Sequence, residues 1–315
     1  MVRFLARRLA GTVGTLLGVL VAVFVLLAAS PGDPARLTLV GQGPIGHRSQ
    51  EALEAFRRIH GLDRPLPERL ATWLGSAARL DLGRSFRDGR PVAERIGETL
   101  PATLAVNGAA LALALALAVP LGLASARRPG GRVDRLASLL LDALFSLPSF
   151  ALGLLLLLLF AVRLGWAPVF SDPSDGPRGI ALPAATLALV ALAPIARVTR
   201  SAVGAALRSP SALSGLARGE STGEQTLRAL RRAAPAFAGL LANLVPQLVA
   251  GSVLVERVFS YPGTGQLLAD SVFARDVPTV LGLTVVSGLA VVGATLAADV
   301  LAAAADPRIA EGDER

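Results

Sequence analysis

Six stretches of the chain are apolar for long enough to cross a bilayer, which takes about 20 residues of helix. They are about 9–29, 100–124, 136–162, 180–196, 237–255 and 279–303. Arg3, Arg7 and Arg8 precede the first, a start a signal peptide would share. Its length and the lack of a small-residue cleavage site favour a retained helix. Gly14 and Gly18 stand four apart within it, a spacing that allows close helix approach. In the second, LALALALAV offers small side chains for tight contact, and the third contains Pro148, which removes a backbone bond and can kink the helix. The pattern predicts an all-α, polytopic membrane protein with six transmembrane helices.

The polar stretches differ among themselves. Residues 31–99 form a long segment in which Leu53, Phe56 and Ile59, then Leu70, Trp73, Leu74 and Ala77, recur at helical spacing. They predict amphipathic helices, either in a small, mainly helical extramembrane subdomain or lying on the membrane surface. The domain boundaries expected are 1–30 for the tail and first span, 31–99 for this loop, 100–305 for a five-helix core and 306–315 for a tail. Arginine is dense at the N-terminal flank, at 127–135 and at 197–232, and sparser at Arg163, Arg178, Arg257 and Arg275. With six spans the dense sets fall on one side, so both termini are expected in the cytoplasm.

The loop at 197–234 has internal grammar. Ser209 before Pro210 reads as a capped helix start. Leu213, Leu216 and Ala217 share a face, and Gly219, between Arg218 and Glu220, is a C-terminal stop. Ser221 and Glu224 make a capping box for a second helix. Its stripe is Leu227 and Leu230, and Arg228, Arg231 and Arg232 suit the negative end of its dipole. Pro235 ends or bends the run. Two readings follow: a basic loop that only holds topology, or a docking element whose apolar ridge inserts into a partner's groove.

Composition narrows the function. Hydrophobic residues make up 53% of the 315 and charged residues only 17%, so the formal charge of +8 reads as basic loops of a membrane protein, not a nucleic-acid surface. There is no cysteine, which excludes disulfides and thiolate chemistry. His47 and His60 match no metal-ligand spacing and read as solvated. No lysine occurs, so a G-x-x-x-x-G-K-[ST] nucleotide loop is excluded. No nucleophile elbow or H-E-x-x-H motif is present. No catalytic residue and no metal site are assigned.

Polar residues inside spans are costly and face protein or water. Asn107, Asn243, Gln247 and Ser252 are therefore candidates to line a pathway, the alternative being bonds to neighbouring helices. Asp142 and Asp299 read as structural. At the outer end of the fifth span, Glu256 and the run FSYPGTG, with Phe259, Tyr261, Pro262, Gly263 and Gly265, predict a re-entrant turn or an ordinary loop.

The order of several short motifs resembles the inner-membrane permease of ABC importers for dipeptides, oligopeptides or nickel. AASPGDPA, GLDRPLPERL, LDLGRSF, LPATLAV, IARVTRSA, GSVLVERVFSYPGTGQLL, RDVPTVLGL and DPRI follow one another over nearly the whole chain. The resemblance implies a type I importer permease in the bacterial inner membrane. It would form half of a translocation pathway for a peptide or similar small solute. An extracytoplasmic binding protein would deliver the solute, and a second permease, identical or homologous, would complete the pathway. Two cytoplasmic ATPases would use ATP and Mg, with no cofactor bound by this chain and no nucleic acid involved. LARG at 216–219 sits where the family carries its coupling motif, so Leu213, Leu216, Ala217, Arg218, Gly219 and Glu220 would meet the ATPase. Residues 211–215 depart from the family's alanine-rich pattern. Glu256 and the turn after it would form the outer gate or a binding-protein contact. The rival is an ion-gradient-driven secondary transporter, which needs charged residues near mid-membrane; these spans are nearly free of them.

Overall fold

A computed structural model describes residues 2–30, 32–36 and 50–305. His47, the side chains of Arg3, Arg7 and Arg8, and the tail from Asp306 lie outside the described residues. The described chain is helical: α1 Val2–Ala29, α2 Gln50–Ile59, α3 Leu66–Ala77, α4 Val92–Arg127, α5 Arg132–Ser146, α6 Ser149–Leu156, α7 Pro177–Leu207, α8 Pro210–Ala217, α9 Thr222–Arg232, α10 Ala234–Val258, α11 Thr264–Phe273 and α12 Val277–Ala305. Among the described residues the only extended pairing noted is an isolated bridge between Arg84 and Pro91. Two compact units result, one centred on Ala102–Pro262, the other on Ala10–Pro101 with Gly263–Leu289.

In the first unit α7 is the central helix, and its core-facing residues include Leu187, Ala191, Ile195 and Val203. The alternation LALALALAV resolves into one helical seam: Val106, Ala110, Ala114 and Ala118, each four apart, are fully buried, while Leu113, Leu115 and Leu117 point outward. Gly122 continues the seam. A β-carbon there would lie 2.6 Å from the Ala196 carbonyl oxygen and from Thr199 Cβ, so α4 and α7 cross closely only because this side chain is absent. Asp134 caps the preceding turn, accepting from the Gly130 amide at 2.7 Å and pairing with Arg200 at 2.6 Å. Nothing in the sequence pattern singled it out.

In the second unit the first and last spans pack together. Leu20, Phe24 and Leu281 form a small core with α3 residues Leu70, Trp73 and Leu74. The glycine that admits this packing is Gly288, whose β-carbon would lie 2.3 Å from Leu16. Gly14 and Gly18 have nothing within 4 Å of theirs. α2 and α3 form as their spacing predicts. His60 at the end of α2 stacks on Phe56 and Phe86, with centroids 4.2 Å and 4.7 Å away, and is not a solvated loop residue.

Among the described residues five helices are long and apolar enough to cross a membrane, and a sixth span exists if the bent pair, Arg132–Ser146 with Ser149–Arg163, counts as one. That pair corrects the expected third span, which is not a kinked helix but two helices at 102°. Pro148 forces the residue before it out of the helical region, and Leu147 is extended at φ −88, ψ 130. Beyond α6 the helix widens into a π-helical stretch, Leu157–Arg163. The second and fourth spans run further than their apolar cores: α4 starts at Val92, steadied by Arg90 pairing with Glu94 and Glu98, and α7 continues through Arg197 and Arg200 to Leu207. The polar loop between spans therefore begins at Arg208, not Arg197.

Candidate coupling and gating sites

α8 and α9 form a tight hairpin between α7 and α10. Gly219 takes φ +80, the left-handed position after a helix. Its amide donates to the Leu216 carbonyl at 2.9 Å and the Glu220 amide to the Gly215 carbonyl at 3.1 Å. These two bonds make a Schellman cap, which explains glycine at this position. The Ser221 capping box is complete: Glu224 N–H donates to the Ser221 hydroxyl, and the Glu224 carboxylate accepts from the Ser221 amide at 2.8 Å. Ser209 holds the N-cap position of α8 without capping it; its hydroxyl donates to the Ala206 carbonyl at 2.7 Å instead.

Glu220 is the fastener of this hairpin. Its carboxylate pairs with Arg228 of α9 at 2.6 Å and with Arg218 at 3.1 Å. The hydrogen bond from Arg228, then that from Arg218, holds its pKa below the ordinary glutamate range. It reaches that position by lying over Gly215, where a β-carbon would come within 2.3 Å of Oε2. Arg232 closes the other end, donating to the hydroxyls of Ser209 and Ser211. α9 is in turn seated on the unit: Ala229 and Ala233 are buried against Ala126 and Val203, and Arg127 donates to Thr226 at 3.0 Å. Leu230 joins this packing. Leu227, expected beside it, points away.

The hairpin presents an apolar ridge. Leu213 and Leu216 are 61% and 57% exposed, and Ala217 is exposed beside them. On the inner face Ala212 and Gly215 are buried. The ridge is thus a short helix with two leucines turned outward, tied through Glu220 to α9, which packs on α4 and α7.

The run at the end of α10 is built inward. Glu256, Phe259 and Tyr261 are fully buried. Thr103 donates to Glu256 at 2.7 Å and the Tyr261 hydroxyl to the Ala102 carbonyl at 3.2 Å, so both side chains hold α10 to α4. Phe259 packs on Gly153, and its carbonyl accepts from the Ser171 amide at 2.9 Å. These three side chains have no surface to offer a binding protein. The left-handed residue of the turn is Ser260, at φ +51. Gly263 is extended and Gly265 lies within α11, so neither takes the unusual dihedrals expected of it. Pro262 stands between the turn and α11.

The four polar span residues divide. Asn243 and Gln247 lie on one exposed stripe of α10 with Ala250 and Leu254. Ser252 is buried and donates to the Val249 carbonyl at 2.9 Å. Asn107 is half-buried and donates to the Thr103 carbonyl at 3.0 Å. Asp142 is exposed and pairs with Arg197 at 2.5 Å.

One cluster escaped sequence reasoning. Asp276, fully buried, accepts from Ser85 at 2.5 Å, the Phe86 amide at 2.8 Å, Arg95 at 3.1 Å and Thr279 at 2.7 Å. It ties the 85–95 segment to the start of α12 within the second unit. Ser85, Phe86 and Arg95 are 181–191 residues distant in sequence, so no local pattern announces them.

Comparison with known families and proteins accords with this architecture. A family model described as the binding-protein-dependent transport system inner membrane component matches residues 118–311, and one for the N-terminal part of such components matches 1–107. The oligopeptide transport system permease protein AppB of Bacillus subtilis is 34% identical, covering 98% of this chain and 99% of the relative. A putative peptide transport system permease protein of Brucella abortus is 32% identical and the glutathione transport system permease protein GsiC of Pectobacterium atrosepticum 33%, with the same coverage.

Proposed function

The chain belongs to the family of binding-protein-dependent transport system inner membrane components, and we propose that it forms half of the translocation pathway for a peptide or similar small solute. It is a multi-pass permease subunit of an ABC importer, not an enzyme; ATP hydrolysis belongs to partner ATPases. An ion-gradient-driven transporter is not favoured by this membership. Three relatives whose names specify oligopeptide, peptide or glutathione transport support the solute class.

The observation that carries the mechanism is the exposed ridge of Leu213 and Leu216 on a hairpin fastened to the unit's core. In this reading two cytoplasmic ATPases, loaded with ATP and Mg, grip the α8 ridge of this chain and of a second permease, with Ala217, Arg218 and Gly219 at the contact. ATP draws the ATPases together, and α9 carries the displacement into α7 and α4. Nucleotide shifts the pore between inward and outward states only by favouring one of them, so a stiff junction serves the coupling. Asn243 and Gln247, on their exposed stripe, line the passage; polar amides in that position avoid lipid by facing protein or water. Glu256, Phe259 and Tyr261 act as the hinge pin of the outer gate, and contact with the binding protein falls to other residues. The arginine bias supports a cytoplasmic position for both termini.

The test is ATP-driven uptake of a labelled peptide into proteoliposomes holding the permease, its ATPases and its binding protein. Leu216→Asp is expected to abolish uptake while the protein still inserts and the ATPases still hydrolyse ATP. Full uptake by that variant would overturn the docking assignment.

A further inference from the structure

A cavity of about 440 Å³ lies within the second unit, between α2, α3, the 81–86 segment and the start of α12. Its walls are of two kinds. Phe24, Val277 and Leu281 are apolar and belong to helices that pass as membrane spans, Ala10–Ala29 and Val277–Leu301. Phe24 lies five residues from the end of its span and Leu281 four from the start of its own; at 1.5 Å per residue both stand about 6–8 Å inside the span ends. That is the depth at which phospholipid headgroups meet acyl chains.

Among the polar lining residues are three arginines, Arg64, Arg69 and Arg84. Arg69 is half-buried, its guanidinium 5.7 Å from the Phe24 ring centre, and among the described residues it makes no ion pair. Partly buried charges are ordinarily paired. Asp33 lines the neighbouring cavity that Arg69 also borders, but it is engaged by Arg57 at 2.5 Å. Arg64 and Arg84 also face the larger cavity; Arg64 is paired with Glu68 at 3.3 Å, and the one carboxylate in the lining, Asp81, accepts from the Gly83 amide through Oδ1, so Arg69 and Arg84 carry the excess charge. His60 is held below its ordinary pKa by burial, against an opposing pull from Asp276, and adds no charge at neutral pH. A second orphan points the same way: Trp73 lines the cavity, and its indole N–H is buried with no acceptor among the described residues. The site therefore offers two unmet donors, a net positive field and an apolar floor at span-end depth.

We propose that this cavity binds an anionic phospholipid, its phosphate accepting from Arg69 and Trp73 and its acyl chains lying over Phe24 and Leu281. Free phosphate would satisfy the same donors but would leave the apolar floor unused.

Trp73 is also the reporter. The full chain is reconstituted with its partner subunits into nanodiscs of zwitterionic lipid. A minor fraction of phosphatidylglycerol or phosphatidylcholine, each brominated on the acyl chains, is then added, and the Trp73 signal is isolated by subtracting the Trp73→Phe variant. Brominated phosphatidylglycerol is expected to quench Trp73 at about five-fold lower mole fraction than brominated phosphatidylcholine, the enrichment one arginine gives beside an anionic surface. Arg69→Gln is expected to remove that preference, and Arg69→Lys, which keeps the charge and loses the fork, to retain part of it. Equal quenching by the two lipids, or a preference untouched by Arg69→Gln, would overturn the proposal. So would inorganic phosphate that perturbs Trp73 and abolishes the lipid preference, since the site would then be one for free anions.

Discussion

Glu220 joins two helices through one carboxylate, and that makes it the most informative single residue of the α8–α9 hairpin. Its pKa is depressed, so its stabilisation is present above the unfolded value of about 4.3 and is lost as pH falls through the lower folded value. Hydrogen exchange across 208–233 should accelerate in that acidic window. Glu220→Gln should shrink the step without erasing it, because Glu224, held down by the Ser221 amide, titrates in the same direction. Gly215→Ala should mimic Glu220→Gln, and the double variant should be no worse than either, because the added methyl displaces the same carboxylate. An additive double variant would break the link between these residues. At this scale the sequence was legible where the chemistry is local. Ser221 and Glu224 announce their capping box, and Gly219 its left-handed turn. Gly215 read as a mere departure from an alanine-rich motif, because its reason is a side chain five residues on. The burial of Glu256 depends on Thr103, 153 residues away, and had no local sign.

Among elements, the crossing of α4 and α7 sets the rigidity of the first unit. Gly122→Ala would place a carbon 2.6 Å from a backbone carbonyl that cannot step aside. Overpacking of this kind costs about 1–3 kcal/mol, so thermal unfolding of the purified complex should move down by several degrees. Gly108→Ala, on the same helix with nothing within 4 Å, is the control and should leave the transition unchanged or slightly higher. Equal behaviour of the two variants would contradict the close crossing. The long helices were legible because apolar length needs no partner to be recognised. Their ends were not: charged turns such as 92–99 and 197–207 continue a helix once a neighbour or an ion pair supports it. Pro148 was visible as a kink, but the size of the bend depends on extended Leu147. α11, ten residues of mixed polarity, carried too short a signal beside the conspicuous glycines before it.

For the whole molecule, the proposed driving motion arises in subunits outside this chain. The chain reconstituted alone should accumulate no peptide under a proton gradient; uptake should require the ATPases, the binding protein and ATP together. Uptake by the chain alone would return the ion-driven alternative. What the sequence conveyed at this scale was class and order of motifs, because membrane solvation dictates spans and charge dictates loops. The assembly partners were accessible only through resemblance, since no residue pattern within one chain records a neighbour's groove.

The chain contains no cysteine, so a single one introduced as Leu216→Cys reports without background from this chain. Crosslinking from that position in the assembled transporter, with and without nucleotide, tests the coupling claim most directly. One dominant adduct is expected, to an ATPase subunit, with a yield that changes between the nucleotide-free and ATP-bound states. Adducts confined to lipid or to the permease itself, in every state, would contradict it.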